Sequence, residues 1–71
     1  MNNRYEDYQT YYNQFIDRNH RKGQACFNAI YIVDPDNANR LRATEYDCFH
    51  DDSKIEAFLA EVFFAWESES C

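Results

Sequence analysis

A chain of 71 residues with one glycine, one proline, six Tyr, six Phe and one Trp has room for one domain and one small, ring-rich core. That composition excludes a disordered segment and a loop-rich scaffold. Thirteen acids against seven Lys and Arg leave a net charge of −6. Acids and bases balance across residues 1–40, so the whole excess lies in residues 41–71. A protein that grips phosphate backbones needs the opposite sign, so no direct nucleic-acid binding is expected, and a partner with a basic surface is.

In chain order, residues 4–20 (RYEDYQTYYNQFIDRNH) place Tyr5, Tyr8, Tyr12, Phe15 and Ile16 on one helical stripe with polar residues around it, which predicts an amphipathic helix with an aromatic face. Asn2 or Asn3 supplies its N-cap, Arg18, Arg21 and Lys22 stand near its negative end, and Gly23 is the candidate left-handed stop. Residues 24–33 (QACFNAIYIV) are rich in β-branched and aromatic side chains and read as a strand, with Phe27 and Tyr31 on one face and Cys26, Ile30 and Ile32 on the other. DPDNAN, residues 34–39, has turn composition, and RLRATEYDCF, residues 40–49, reads as the returning strand of a hairpin. That second strand does not alternate cleanly, because Leu41 and Ala43 share a face with Glu45 and Asp47; a bulge near Thr44 would restore parity.

From Asp51 or Asp52 a second helix is predicted. Ser53 and Glu56 match a capping box, and Ile55, Phe58, Leu59, Val62, Phe63 and Trp66 recur at helical spacing. Residues 66–71 read as a frayed tail. The expected fold is a single α+β domain over residues 1–71, in the order helix–strand–strand–helix, with an antiparallel β-hairpin under two amphipathic helices. Cys26, Cys48 and Cys71 are odd in number and irregularly spaced, as reduced thiols of a cytoplasmic protein would be. No basic start precedes an apolar run and no apolar stretch approaches the ~18 residues of a membrane span, so neither a secretory leader nor membrane insertion is expected.

The stretch EYDCFHDDSKIEAF, residues 45–58, carries the most chemistry. Cys48 and His50 form one loose ligand pair, and neither His20 nor Cys26 completes a second, so no metal or other cofactor is expected. A thiol beside an imidazole could be an activated nucleophile, but no orienting group or oxyanion hole accompanies it, which speaks against an enzyme. Glu45 and Asp47, about 6.7 Å apart if extended, begin an acidic array that continues through Asp51, Asp52, Glu56 and Glu61. Such an array suits the groove that a nucleic-acid-handling protein offers to phosphates.

Apolar surface left over by the expected fold points the same way. Phe64 lies opposite the Ile55–Trp66 stripe with Ala57 and Ala60, and Cys26, Ile30 and Ile32 lie opposite Phe27. Two helices on one hairpin cannot cover both sets, and uncovered apolar patches mark partner surfaces. The sequence therefore predicts a non-catalytic, acidic protein-binding module that mimics nucleic acid, with Glu45, Asp47, Asp51, Asp52, Glu56, Glu61 and Phe64 facing the partner. Cys26, Ile30, Ile32, Ala57 and Ala60 are its candidate homodimer surface. Inhibitors encoded by phages and other mobile elements share this size and acidity, an analogy of composition rather than of motif. The alternative is a small dimeric accessory subunit whose acids only solubilise it.

Overall fold

The computed structural model describes residues 3–69, and every regular element among them is helical. The elements are α1 (Arg4–Asp17), α2 (Lys22–Val33), α3 (Pro35–Leu41) and α4 (Ile55–Glu69), with a single 3₁₀ turn at Asp52–Lys54 before α4. No strand occurs among the described residues, which overturns the expected hairpin and the α+β class. No described helix is long and apolar enough to cross a membrane.

The first helix is the predicted one, with its stop moved. The Asn3 side chain accepts from the amides of Tyr5 (3.0 Å) and Glu6 (3.3 Å), two donors with no partner inside the helix. At the other end Asn19, at φ 68, takes the left-handed position. The Asn19 amide then reaches Ile16 O (3.0 Å) and the His20 amide reaches Phe15 O (3.1 Å). This is a Schellman closure, completed by the His20 ring against Phe15 at 5.1 Å. Gly23 has no positive φ and instead lies in the first turn of α2.

Residues 22–33 are helical because the segment is buried around most of its girth. Ala25, Cys26, Ala29 and Ile30 are fully buried and Phe27 nearly so. The narrow outer side carries Gln24 and Asn28 but also the exposed Tyr31 and Ile32, so the polar stripe is broken and periodicity does not separate helix from strand. The helix also lacks a local start signal, since the Arg21 cap makes no side-chain bond. Its first turn is tied from 29 residues away, where Asp52 Oδ1 accepts from the Gly23 amide at 2.8 Å. Gly23 is required there by space: a Cβ would run into the Cys48 carbonyl and stand 2.7 Å from Asp52 Oδ1.

The predicted turn at residues 34–39 is the start of α3. Asp34 caps it by accepting from the Asn37 amide (3.3 Å), and Pro35 occupies the first helical position. The predicted returning strand is the end of α3 followed by irregular chain, with Ala43 left-handed at φ 59. Asp47 organises that chain by accepting from the amides of Ala43 (2.7 Å) and Phe49 (2.9 Å). The broken alternation had this cause.

Helices α1, α2 and α4 surround the core. Phe58, Val62 and Trp66 of α4 are buried against Ile30 and Phe27 of α2 and Tyr8 of α1. Tyr5 meets Phe63 (5.0 Å) and Trp66 (5.2 Å), so the start of α1 lies beside the second half of α4 and is joined to it through these rings. Asp34 joins three elements at that end. Its carboxylate accepts from Trp66 Nε1 (2.7 Å) and Asn37 Nδ2 (2.6 Å), with the Arg4 guanidinium at 3.9 Å. Trp66, placed by the sequence reading at the start of a frayed tail, is only 3% exposed; α4 continues to Glu69, and residues 70 and 71 lie outside the described residues.

Candidate protein-docking surface

Helix α4 turns Phe58, Val62 and Trp66 inward and half-buries Ile55, Leu59 and Phe63. Its remaining face carries Ala57, Ala60 and Phe64, all exposed. Phe64 is 70% exposed, the most of any large apolar side chain described. At about 100° per residue, Glu56 and Glu67 fall along one border of this face and Glu61 along the other. Segment 55–69 has no Lys or Arg. The face is an apolar ridge with an acidic rim, an arrangement common to binding patches.

Glu61 connects the ridge to α3. The Arg40 guanidinium stands 3.8 Å from its carboxylate, a pair whose two side chains are 48% and 39% exposed and which is therefore weak. Glu45 and then Glu61 push the Tyr46 phenol above its ordinary value, so both carboxylates act on the same ring. Glu61 thus borders the ridge of α4 and acts electrostatically on Tyr46 beside Glu45.

The other three acids of the predicted array are committed to the fold. Asp47 organises the irregular segment through two backbone amides. Asp51 accepts from the Ser53 amide (3.0 Å) and hydroxyl (2.6 Å), which hold its carboxyl below the usual carboxylate range. It is Asp51, and not Asp52 or Ser53, that caps the turn leading into α4. Asp52 ties α2. Their hydrogen bonds leave these residues less free to rearrange around a partner.

The predicted homodimer surface divides. Ala57, Ala60 and Ile32 (48% exposed) are outside, whereas Cys26 and Ile30 are fully buried in the core of a single copy. On a strand Cys26, Ile30 and Ile32 would share a face; at helical pitch Cys26 and Ile30 point inward and Ile32 points out. Tyr31, at 40% exposure, joins Ile32 on the outside.

The thiol–imidazole pair is not assembled. The Cys48 thiol turns inward and donates to Gly23 O at 3.4 Å, while exposed His50 packs on Phe49 at 4.7 Å. Among the described residues no three His, Cys, Asp or Glu side chains gather as metal ligands. One open depression of about 240 Å³ is lined by Phe27, Arg42, Asp47, Phe49 and His50. Its guanidinium lies over the Phe27 (5.8 Å) and Tyr31 (5.7 Å) rings, a contact the sequence reading missed. Another, of about 420 Å³, is lined by Arg4, Asp7, Tyr11, Ile32 and Val33. Compared with protein-family models, curated proteins and solved structures, the chain matches none.

Proposed function

We propose that this protein is a non-catalytic, acidic binding module that docks on a basic, nucleic-acid-handling protein and occupies its phosphate-binding groove. The observation that carries this reading is Phe64, 70% exposed on a helix rimmed by glutamates. Phe64 supplies the anchor, since a few desolvated aromatic groups dominate most interfaces. Glu45, Glu56 and Glu61 steer the approach, with Asp47, Asp51 and Asp52 adding fixed charge. An inhibitor acting in the cytoplasm, where thiols stay reduced, is the role that such occupation implies.

The test is capture from lysate by the wild-type protein, by Phe64→Ser and by Glu45→Lys/Glu61→Lys. A true partner binds the wild type, loses at least about tenfold in affinity to each variant, and associates more slowly as salt rises. It also releases its nucleic acid when the protein is added. A captured protein that holds both variants equally and keeps its nucleic acid ends this reading.

Exposed Tyr31 and Ile32 favour a second reading, a small accessory subunit assembled through apolar contacts with the acids only solubilising it. Such an assembly, including a homodimer, forms equally well at low and high salt, which light scattering at both ionic strengths resolves.

A further inference from the structure

Two free cysteines, Cys26 and Cys48, are wholly buried, and the surface reading uses neither. Cys26 is on α2, and side chains on a helix lean toward the preceding turn, here the turn of Lys22 and Gly23. Cys48 Sγ lies 3.4 Å from the carbonyl of Gly23, so the segment after α3 delivers its sulfur to the place where the Cys26 sulfur leans. The Tyr8 hydroxyl completes the cluster by donating to Cys26 Sγ at 3.6 Å. The Cys48 side chain and then the Tyr8 hydroxyl hold the Cys26 thiol below its ordinary value against the burial that pushes it up. Cys48 is pushed strongly up by the same contact with Cys26 and by burial. The Tyr8 hydroxyl donates to the Cys26 sulfur, whereas the Cys48 proton goes to the Gly23 carbonyl, so Cys26 is the sulfur placed to ionise and attack and Cys48 the one placed to resolve.

We propose that Cys26 and Cys48 are an oxidation site, a dithiol that a hydroperoxide converts to a disulfide, stapling the acidic segment to α2. In the first step the Cys26 thiolate attacks the terminal peroxide oxygen: an S–O bond forms, the O–O bond breaks, and alkoxide, or hydroxide when the oxidant is hydrogen peroxide, leaves and takes up the proton that Cys26 lost. In the second the Cys48 sulfur attacks the sulfur of the Cys26 sulfenic acid. The S–S bond forms, the S–O bond breaks, and the departing hydroxide leaves as water with the Cys48 proton. Two thiols and one hydroperoxide yield one disulfide, water and the alcohol, or a second water when the oxidant is hydrogen peroxide.

Because neither sulfur touches solvent, the peroxide reaches Cys26 only when the irregular segment lifts, and the bond then records that opening. Closing a 22-residue separation raises thermal stability by constraining the unfolded chain.

The experiment treats the reduced full-length protein with hydrogen peroxide and reads intact mass, non-reducing peptide maps and melting. Expected are a loss of two hydrogens, one peptide linking Cys26 to Cys48, and a melting temperature at least about 5 °C higher that dithiothreitol reverses. Cys71→Ser should behave as wild type, and Cys48→Ser should stop at a sulfenic acid trappable on Cys26. Links made only through Cys71, sulfinic acid on Cys26 without a link, or an oxidised monomer that melts at or below the reduced one would each overturn the proposal. The mapping uses wild type, so a poorly folding Cys48→Ser does not affect it.

Discussion

Gly23 and Ala43 are the two positions where a single backbone atom decides what the chain tolerates. The first turn of α2 passes so close to the irregular segment that the Cys48 carbonyl occupies the space of a Gly23 side chain. The obstruction is main chain, so it cannot rotate away. Gly23→Ala should cost about 3 kcal/mol, read as a lower midpoint in urea unfolding. Ala43 is the reverse case, a residue with a Cβ held at φ 59 because Asp47 binds its amide at 2.7 Å. Glycine adopts that conformation without a steric cost, so Ala43→Gly should stabilise by about 0.5–1 kcal/mol after its larger unfolded-state entropy is counted. A melting temperature that falls would show that the Ala43 methyl packs better than its exposure suggests. The one glycine in the chain was legible as important; its role was not, because the atoms it avoids belong to Cys48 and Asp52.

Among elements, the junction of α2, α3 and α4 depends on Asp34. Burial pushes its carboxyl up, but donors from Trp66 and Asn37 and the nearby Arg4 charge hold it below the usual carboxylate range. A depressed carboxylate contributes stability that is present above its unfolded value of about 3.9 and lost as pH falls through its folded value. The stability gap between wild type and Asp34→Asn should therefore be full at pH 6 and shrink below about pH 4, as urea midpoints across that range will report. A gap independent of pH would mean that the carboxylate charge contributes nothing. Trp66→Phe keeps one aromatic ring but removes the donor to Asp34 and part of the buried indole, so it should cost at least about 1.5–3 kcal/mol, the range typical of hydrogen bonds to charged groups, read as a lower urea midpoint. The Asp-Pro start of α3 was open to a reader of the sequence as cap and first helical residue, but the same residues also favour turns. What made it a helix is the carboxylate's simultaneous bonds to Asn37 and Trp66, which are 3 and 32 residues away.

Across the molecule, extents of 36 × 28 × 17 Å describe a slab about two helices thick. A slab this thin gives each helix an outer face, and the aromatic-rich chain leaves Tyr31, Ile32 and Phe64 on such faces. Phe64→Ser should change stability by no more than about 0.5 kcal/mol, as expected for an exposed site, which separates its effect on partner capture from any effect on folding. A Phe64→Ser protein that melts several degrees lower would instead make Phe64 part of the fold. Paired lysine reversals divide the acids in the same way. Asp51→Lys/Asp52→Lys removes the cap before α4 and the tie to Gly23, so it should lower the urea midpoint, whereas Glu45→Lys/Glu61→Lys should leave it close to wild type.

The order of side chains alone determined the two outer helices: the tyrosine stripe of α1 and the Ile55–Trp66 stripe of α4 each have a polar side, and a polar side is what makes helical pitch visible. It also determined the acidic C-terminal part and the apolar excess that leaves Phe64 outside. Only tertiary structure decided the middle of the chain. Helix α2 mixes Tyr31 and Ile32 with Gln24 and Asn28 on its outer side, so its sequence lacks the contrast that separates helix from strand, and its Gly23 amide is satisfied by Asp52 from a distant segment. The same long-range ties decided which acids brace the fold and which face outward, because a carboxylate's role depends on the amide brought within about 3 Å of it.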